Sequence, residues 1–97
     1  MKQPLISIIT VVLNDERNIE KTILSILEQS YKNIQYIVID GGSKDDTKDL
    51  INKYVNRIAV FKSEKDNGIY DAFNKGLELA NGDLIGFVNS GDILTKD

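Results

Sequence analysis

Two kinds of hydrophobic pattern alternate along the chain. Leu5 to Leu13 (LISIITVVL) is a nearly unbroken apolar run rich in Ile and Val, the composition of a strand buried on both faces. A polar break, Asn14 to Asn18, follows it. Ile19, Ile23, Ile26 and Leu27 then recur at i, i+4, i+7 and i+8, which places them on one face of a helix. Asn14 or Asn18 is a candidate cap for that helix, and Glu16 and Glu20 suit its positive end. A second β-rich run, Ile34 to Ile39 (IQYIVI), ends at Asp40-Gly41-Gly42-Ser43. Ser43 and Asp46 have the spacing of a capping box, and Leu50, Ile51, Tyr54 and Val55 mark the next helical stripe. Ile58 to Phe61 (IAVF) reads as a short third strand. Ile69, Ala72, Phe73, Leu77 and Ala80 form a third stripe. Gly76 lies on that stripe too, which predicts close packing of the helix against a sheet, and Asn81-Gly82 stops it. Leu84 to Val88 (LIGFV) is a fourth strand, followed by Asn89-Ser90-Gly91-Asp92.

The order βαβαβαβ predicts a parallel sheet, because parallel strands need crossover connections and helices supply them. Right-handed crossovers restrict the topologies. The reading is an α/β, three-layer, Rossmann-like half domain with a mostly parallel sheet of order 3-2-1-4. The first two helices are expected on one face and the third on the other. The third helix's face then lacks a neighbour, and an apolar patch exposed there would favour self-association.

Composition narrows the chemistry. Ninety-seven residues allow one small domain. The chain contains no Cys and no His, which excludes a thiolate or imidazole zinc site, a disulfide scaffold and a His- or Cys-based triad. Twelve Lys and Arg against fifteen Asp and Glu give a net charge of −3, a poor balance for binding a nucleic-acid backbone. No stretch approaches the roughly 20 apolar residues of a membrane span. Met1 to Pro4 lead into the first strand without a small-residue cleavage site, so a cytoplasmic location is the expectation.

Ligands of open α/β sheets bind beyond the carboxyl ends of the strands, where strand order reverses. In the 3-2-1-4 order that point lies between strands 1 and 4. The post-strand segments there are Asn14-Asp15-Glu16, Asp40-Gly41-Gly42-Ser43, Ser63 to Gly68, and Asn89-Ser90-Gly91-Asp92. Singly, each is ordinary turn chemistry. Together, four carboxylate- or amide-bearing loops on one edge call for a cation, and hard oxygen ligands favour Mg²⁺ or Mn²⁺. Neither a P-loop nor a G-x-G-x-x-G segment is present. The residues therefore point to a phosphorylated ligand, a nucleotide, bridged by a divalent metal.

From Ile6 to Leu94 the chain resembles the amino-terminal, nucleotide-sugar-binding half of a family 2 glycosyltransferase of the GT-A fold. Four segments carry the likeness. Ser7 to Asn14, with Glu16 and Asn18, is similar to the family's first strand and base-receiving loop. Ser25 to Tyr31 resembles its Ser…Gln segment, and Ile37 to Ser43, with Asp46-Thr47, its Asp-Asp-Gly-Ser segment. Gly68 to Gly82, with Ala72, Asn74 and Gly76, is similar to the stretch leading into the metal-binding strand. Gly68-Ile69-Tyr70-Asp71-Ala72 resembles enzymes that build bacterial surface or capsular polysaccharide.

The resemblance implies inverting transfer of a sugar from a nucleotide-diphosphate sugar, UDP by preference, to an acceptor hydroxyl. It implies Asp40 at the base, Thr10 and Asn14 against the nucleoside, and Asp66 and Asn67 near base or ribose. Asp71 and Asn74 are further substrate-side candidates at the start of the third helix. Asp92, with Asn89, is the candidate ligand pair for the divalent cation. Three departures stand out: Asp40-Gly41-Gly42-Ser43 lacks one carboxylate, Asn89-Ser90-Gly91 replaces the Asp-x-Asp metal motif, and Ala72-Phe73-Asn74 replaces Ala-Arg-Asn. No catalytic residue is assigned. The general base, and the elements that bind a glycan or lipid-linked acceptor, are expected beyond residue 97, so residues 1–97 read as the donor-binding part of a larger domain, inactive alone. The rival readings are a non-catalytic nucleotide-binding or regulatory module and, more remotely, a phospho-acceptor receiver domain, which would need an Asp after strand 3.

Overall fold

The computed structural model describes residues 3–92. In chain order the elements are β1 (Ile6–Val12), α1 (Ile19–Leu27), β2 (Ile34–Asp40), α2 (Thr47–Asn52), a 3-10 turn (Val55–Arg57), β3 (Val60–Ser63), α3 (Ile69–Leu79) and β4 (Leu84–Phe87). The strands form one sheet in the order β3-β2-β1-β4, and every pairing is parallel. β1 is central: Ile6 pairs with Ile34 on one side and with Leu84 on the other. The expected order and strand direction are what the structure shows.

Alternation along β1 divides the core in two. Ile8 and Val12 join Ile19, Ile23, Ile26 and Ile51 beneath α1 and α2. Ile9 and Val11 join Ile37, Ile39 and Ala72 beneath α3. The helices thus cover the two faces as expected. α3 sits very close to the sheet at Gly76, where an added Cβ would lie 2.5 Å from Ile9 Cγ2.

Several boundaries differ from the sequence reading. β3 begins at Val60 and runs to Ser63. Ile58 instead closes the 3-10 turn and is buried with the α1–α2 cluster. α2 stops at Asn52 because its last turn tightens: Lys53 N–H donates to Leu50 O and Tyr54 N–H to Ile51 O, i→i−3 bonds that end an α-helix. No side-chain hydrogen bond caps α1 or α2. Asn18 donates instead to Asp15, and Ser43 is engaged with Asp40. Leu13 lies outside β1 and is exposed.

The edge strand β4 leaves Ile85 and Phe87 exposed on the α3 face, where Tyr70 and Leu77 of α3 extend the apolar surface, and Leu84 exposed on the opposite face. Phe73 meets Phe87 edge to face, with centroids 4.9 Å apart. The expected patch on the α3 side therefore exists.

Candidate functional site

A cleft of about 400 Å³ opens at the carboxyl ends of the strands. Val11 to Asp15 form its floor, Asp66, Ile69 and Ala72 one wall, and Asn89 and Ser90 the other. It lies at the reversal of strand order. The pairing of β1 with β4 continues past the strand: Val88 N–H donates to Ile9 O at 3.0 Å and Ser90 N–H to Val11 O at 3.2 Å. This holds the loop after β4 beside the end of β1.

The loops after β1 and β2 are laced together. Asn14, in the left-handed region at φ 50°, donates its N–H to Ser43 Oγ (2.8 Å) and accepts Lys44 N–H on its side-chain oxygen (2.7 Å). Asp15 N–H donates to Thr47 Oγ1 (3.0 Å), and Glu16 N–H to Asp45 Oδ2 (3.2 Å). The Thr47 hydroxyl and nearby backbone donors hold the Asp45 carboxyl below its ordinary range.

Asp40 is fully buried. Its carboxylate accepts from Ser43 Oγ, Ser43 N–H (3.0 Å), Gly42 N–H (3.3 Å) and Ser63 Oγ (2.7 Å). Three of these bonds fall on Oδ2 and one on Oδ1, so both oxygens are engaged inside the protein. In this structure Asp40 fastens the turn after β2 to the end of β3, and it does not line the cleft.

Thr10 also lies away from the cleft. It shares the parity of Ile8 and Val12, is fully buried, and accepts the Tyr36 hydroxyl at 2.8 Å. Burial pushes the Tyr36 hydroxyl pKa upward. The Thr10 hydroxyl, expected against a nucleoside, is in this structure an interior acceptor beneath α1 and α2.

Asp66 lines the cleft. Its Oδ1 accepts Gly68 N–H at 3.1 Å, and its Oδ2 lies 2.6 Å from where a Cβ on Gly41 would stand. Asn67 is exposed and donates its N–H to Asp71 Oδ2 at 2.9 Å. Asp71 also pairs with Lys75 at 3.6 Å, and Lys75 with Glu64 at 3.3 Å. Desolvation is the largest single influence on Lys75 and lowers its pKa, but the Glu64 and Asp71 carboxylates together outweigh it and leave the pKa raised. Asp71 thus closes the first turn of α3 outside the main cleft. Asn74 lines a neighbouring hollow of about 360 Å³ with Tyr70, Phe73, Leu77, Phe87 and Asn89.

Asn89 borders both hollows. Its Oδ1 is buried and has no hydrogen-bond partner among the described residues. The turn it begins is anchored by buried Thr22 of α1, whose hydroxyl accepts Gly91 N–H (3.0 Å) and donates to Asp92 O (2.8 Å). Asp92 is exposed. No three acidic side chains converge on a metal position among the described residues. Asn89 Oδ1 and the Asp92 carboxylate are nonetheless hard oxygen donors at one turn. They fit an Mg²⁺- or Mn²⁺-type ion completed by substrate phosphates and water, the usual arrangement for such ions.

Two supporting residues escaped the sequence reading. Asp15 accepts Asn18 Nδ2 (3.0 Å) and Ser90 Oγ (2.8 Å), tying the loop after β1 to the loop after β4. Its place directly after strand 1, beside strand 4 in the expected order, was the available signal. Thr22 offered none, since a Thr inside an amphipathic helix resembles any other.

A parallel sheet of this order with a polar cleft at its reversal point is the arrangement in which open α/β domains place a ligand. Residues 7–97 match glycosyl transferase family 2, and the chain belongs to that family. It is 43% identical over 100 residues to an uncharacterized glycosyltransferase of Haemophilus influenzae, covering 100% of this chain and 40% of that protein. It is 42% identical over 89 residues to the Escherichia coli UDP-Glc:alpha-D-GlcNAc-diphosphoundecaprenol beta-1,3-glucosyltransferase WfaP, covering 91% and 36%. Among solved structures, S. aureus TarS 1-349 in complex with UDP-GlcNAc superposes with a TM-score of 0.86 at 27% identity, over 95% of this chain and 28% of that one. Glucosyl-3-phosphoglycerate synthase from Mycobacterium tuberculosis, in complex with Mn2+, UDP and its glucosylated product, gives 0.73 at 28% identity, over 90% and 33%. The fold is that of the GT-A glycosyltransferases. The chain spans 40% or less of the length of these relatives.

Proposed function

We propose that residues 1–97 form the donor-binding part of an enzyme that transfers a sugar, with inversion, from a UDP-sugar to an acceptor hydroxyl in bacterial surface-polysaccharide synthesis. The observation that carries this reading is the cleft at the β1–β4 reversal, closed on one side by the Asn89–Asp92 turn with its unpartnered buried oxygen. The TarS complex with UDP-GlcNAc supports the donor class. The name of the WfaP relative supports a lipid-linked diphosphate acceptor.

In this proposal the diphosphate lies against the Asn89–Asp92 turn, with Asp92 and Asn89 as the chain's ligands for a divalent cation. When bound, that cation would stabilise charge on the departing diphosphate. Asn14 and Asp66, at the other side of the cleft floor, face the nucleoside. Asn67 and Asn74 remain second-rank contacts, since Asn67 engages Asp71 through its backbone only and Asn74 lines the adjoining hollow. No general base is assigned within residues 1–97, and this part alone is expected to bind donor without turning it over.

The test is an amide NMR titration with UDP, with and without Mg²⁺. Saturable shifts at Asn14 and Asp66, with metal-dependent shifts near Asp92 that vanish in Asp92→Ala, are expected. A folded spectrum unmoved by millimolar UDP, with or without metal, would overturn the donor-site assignment for this chain.

A further inference from the structure

We infer that Asp66 is the carboxylate that reads the N–H edge of the nucleobase, in place of Asp40. The inference rests on the donor-site reading above and names the side chain that sets base recognition within it.

Three observations carry it. Asp40 is fully buried, with Oδ2 accepting from Gly42, Ser43 and Ser63 and Oδ1 accepting from the Ser43 hydroxyl. A ligand could engage it only by breaking the turn that it holds. Asp66, by contrast, lines the cleft with Oδ1 on Gly68 N–H and with no hydrogen bond among the described residues reaching Oδ2.

The third observation is Gly41. Its φ is not in the left-handed region, so backbone conformation does not demand glycine there. A Cβ would stand 2.6 Å from Asp66 Oδ2 and 3.1 Å from Asp66 Cγ. Gly41 is therefore the clearance that lets the Asp66 carboxylate settle over the end of β2. The carboxylate that the sequence lacks at position 41 is supplied, in nearly the same space, from the loop after β3. Two residues 25 positions apart exchange one charge between them.

The placement suits a base. The phosphate end of the site is the turn after β4, whereas Asp66 lies over the end of β2. Two inter-strand spacings, about 10 Å in all, separate β4 from β2. A ribose and a pyrimidine span that gap. A carboxylate oxygen with one position open accepts an imide N–H such as that of uracil, and charge-assisted bonds of this kind are the strong ones.

The experiment uses the 97-residue chain with Mg²⁺ and two probes, UDP and inorganic pyrophosphate, measured by calorimetry or NMR. Asp66→Ala is expected to weaken UDP about 10-fold or more while leaving pyrophosphate affinity and melting temperature unchanged. The combined variant G41D/D66G moves the carboxylate back onto β2's end and is expected to recover most of the UDP affinity lost in D66G. Equal weakening of both probes by Asp66→Ala would mean a structural role and overturn the inference. So would unchanged UDP binding, in which case the donor-site reading would survive. A swap no better than D66G alone would overturn the claim that the two positions share one space. Wild-type chain that binds pyrophosphate but gains nothing from the uridine would overturn the base-end assignment while keeping the phosphate end. Wild type that binds neither would remove both readings.

Discussion

Replacing Asp40 by Ala separates a structural carboxylate from a ligand-binding one. The wild-type side chain is fully buried and accepts four hydrogen bonds from Gly42, Ser43 and Ser63. Bonds to a charged acceptor contribute about 1.5–3 kcal/mol each, so simple addition would give roughly 6–12 kcal/mol. That sum overshoots for two reasons. The bonds share one acceptor and are not additive. Gly42, Ser43 and Ser63 are only half-buried, so water can reach the released donors. Removing the carboxylate also removes the cost of desolvating it. A net loss of about 3 kcal/mol is expected, a large fraction of the roughly 5–15 kcal/mol that holds a domain together. For a chain of this length it lowers the melting temperature by about 12–24 °C. Thermal and urea unfolding read the loss directly, and UDP titration below the transition reads affinity in the folded fraction, which is expected to change little. A variant that melts within about 3 °C of wild type but no longer binds UDP would refute the reasoning and return Asp40 to the ligand.

Other outcomes follow from the same geometry. Gly76→Ala brings a methyl to 2.5 Å from Ile9 Cγ2, and Ile9 is fully buried. Overpacking costs about 1–3 kcal/mol and helix propensity returns about 1, so an unfolding free energy lowered by about 1 kcal/mol in urea titration is expected and a raised one would contradict the close approach. Thr10→Val removes the acceptor of the buried Tyr36 hydroxyl, which is expected to lower stability by about 1–3 kcal/mol without altering UDP affinity. The Tyr36 pKa is raised in the folded state by desolvation; stability linked to it is complete below the unfolded value of about 10 and falls as pH rises above it. Tyr36→Phe should flatten that alkaline decline, and an unchanged slope would show that other groups cause it. The exposed Leu84, Ile85 and Phe87 on β4 are expected to drive concentration-dependent self-association in sedimentation, suppressed by Ile85→Lys; a monodisperse wild-type monomer at high concentration would count against this.

The architecture was legible because its signals are local and repeated. Each apolar run, each i, i+4, i+7 stripe and each Gly or Asn stop is contained in a short window, and crossover rules then leave few topologies. What was not legible depended on parity and on long-range pairing. Thr10 lies in ISIITVV, a strand with apolar residues on both faces, so alternation gave no sign of which side it faces; only the packing of Ile8 and Val12 against α1 and α2 settles it. The start of β3 was misplaced because Ile58 is buried by a 3-10 turn rather than by a strand. At position 41 the missing carboxylate is visible in sequence. That Asp66 fills its place is not, since nothing in the spacing of Gly41 and Asp66 marks them as neighbours.

Brought together by the fold, the loops meet most of their own charge. Clustered carboxylates on one sheet edge were expected to need a cation. The structure satisfies most of them with donors of its own. Asp15 is held by Asn18 and Ser90, Asp45 by the backbone of Glu16 and Thr47, Asp66 by Gly68, and Asp71 by Asn67 and Lys75. Asp40 takes four bonds itself. Repulsion among these groups is therefore met by N–H and O–H groups, and it supplies no reason for a cation. The reason that remains is narrower. At the turn after β4, Asn89 Oδ1 is buried without a partner among the described residues and Asp92, three positions on, is exposed, and a buried acceptor left unmatched is costly unless a ligand completes it. One carboxylate and one amide oxygen make a weak site alone. A divalent ion at this turn is thus expected to bind with the diphosphate rather than before it, so Mn²⁺ affinity measured without nucleotide should be weak and should rise when UDP is added. Tight Mn²⁺ binding to the free chain would point to ligands other than Asn89 and Asp92.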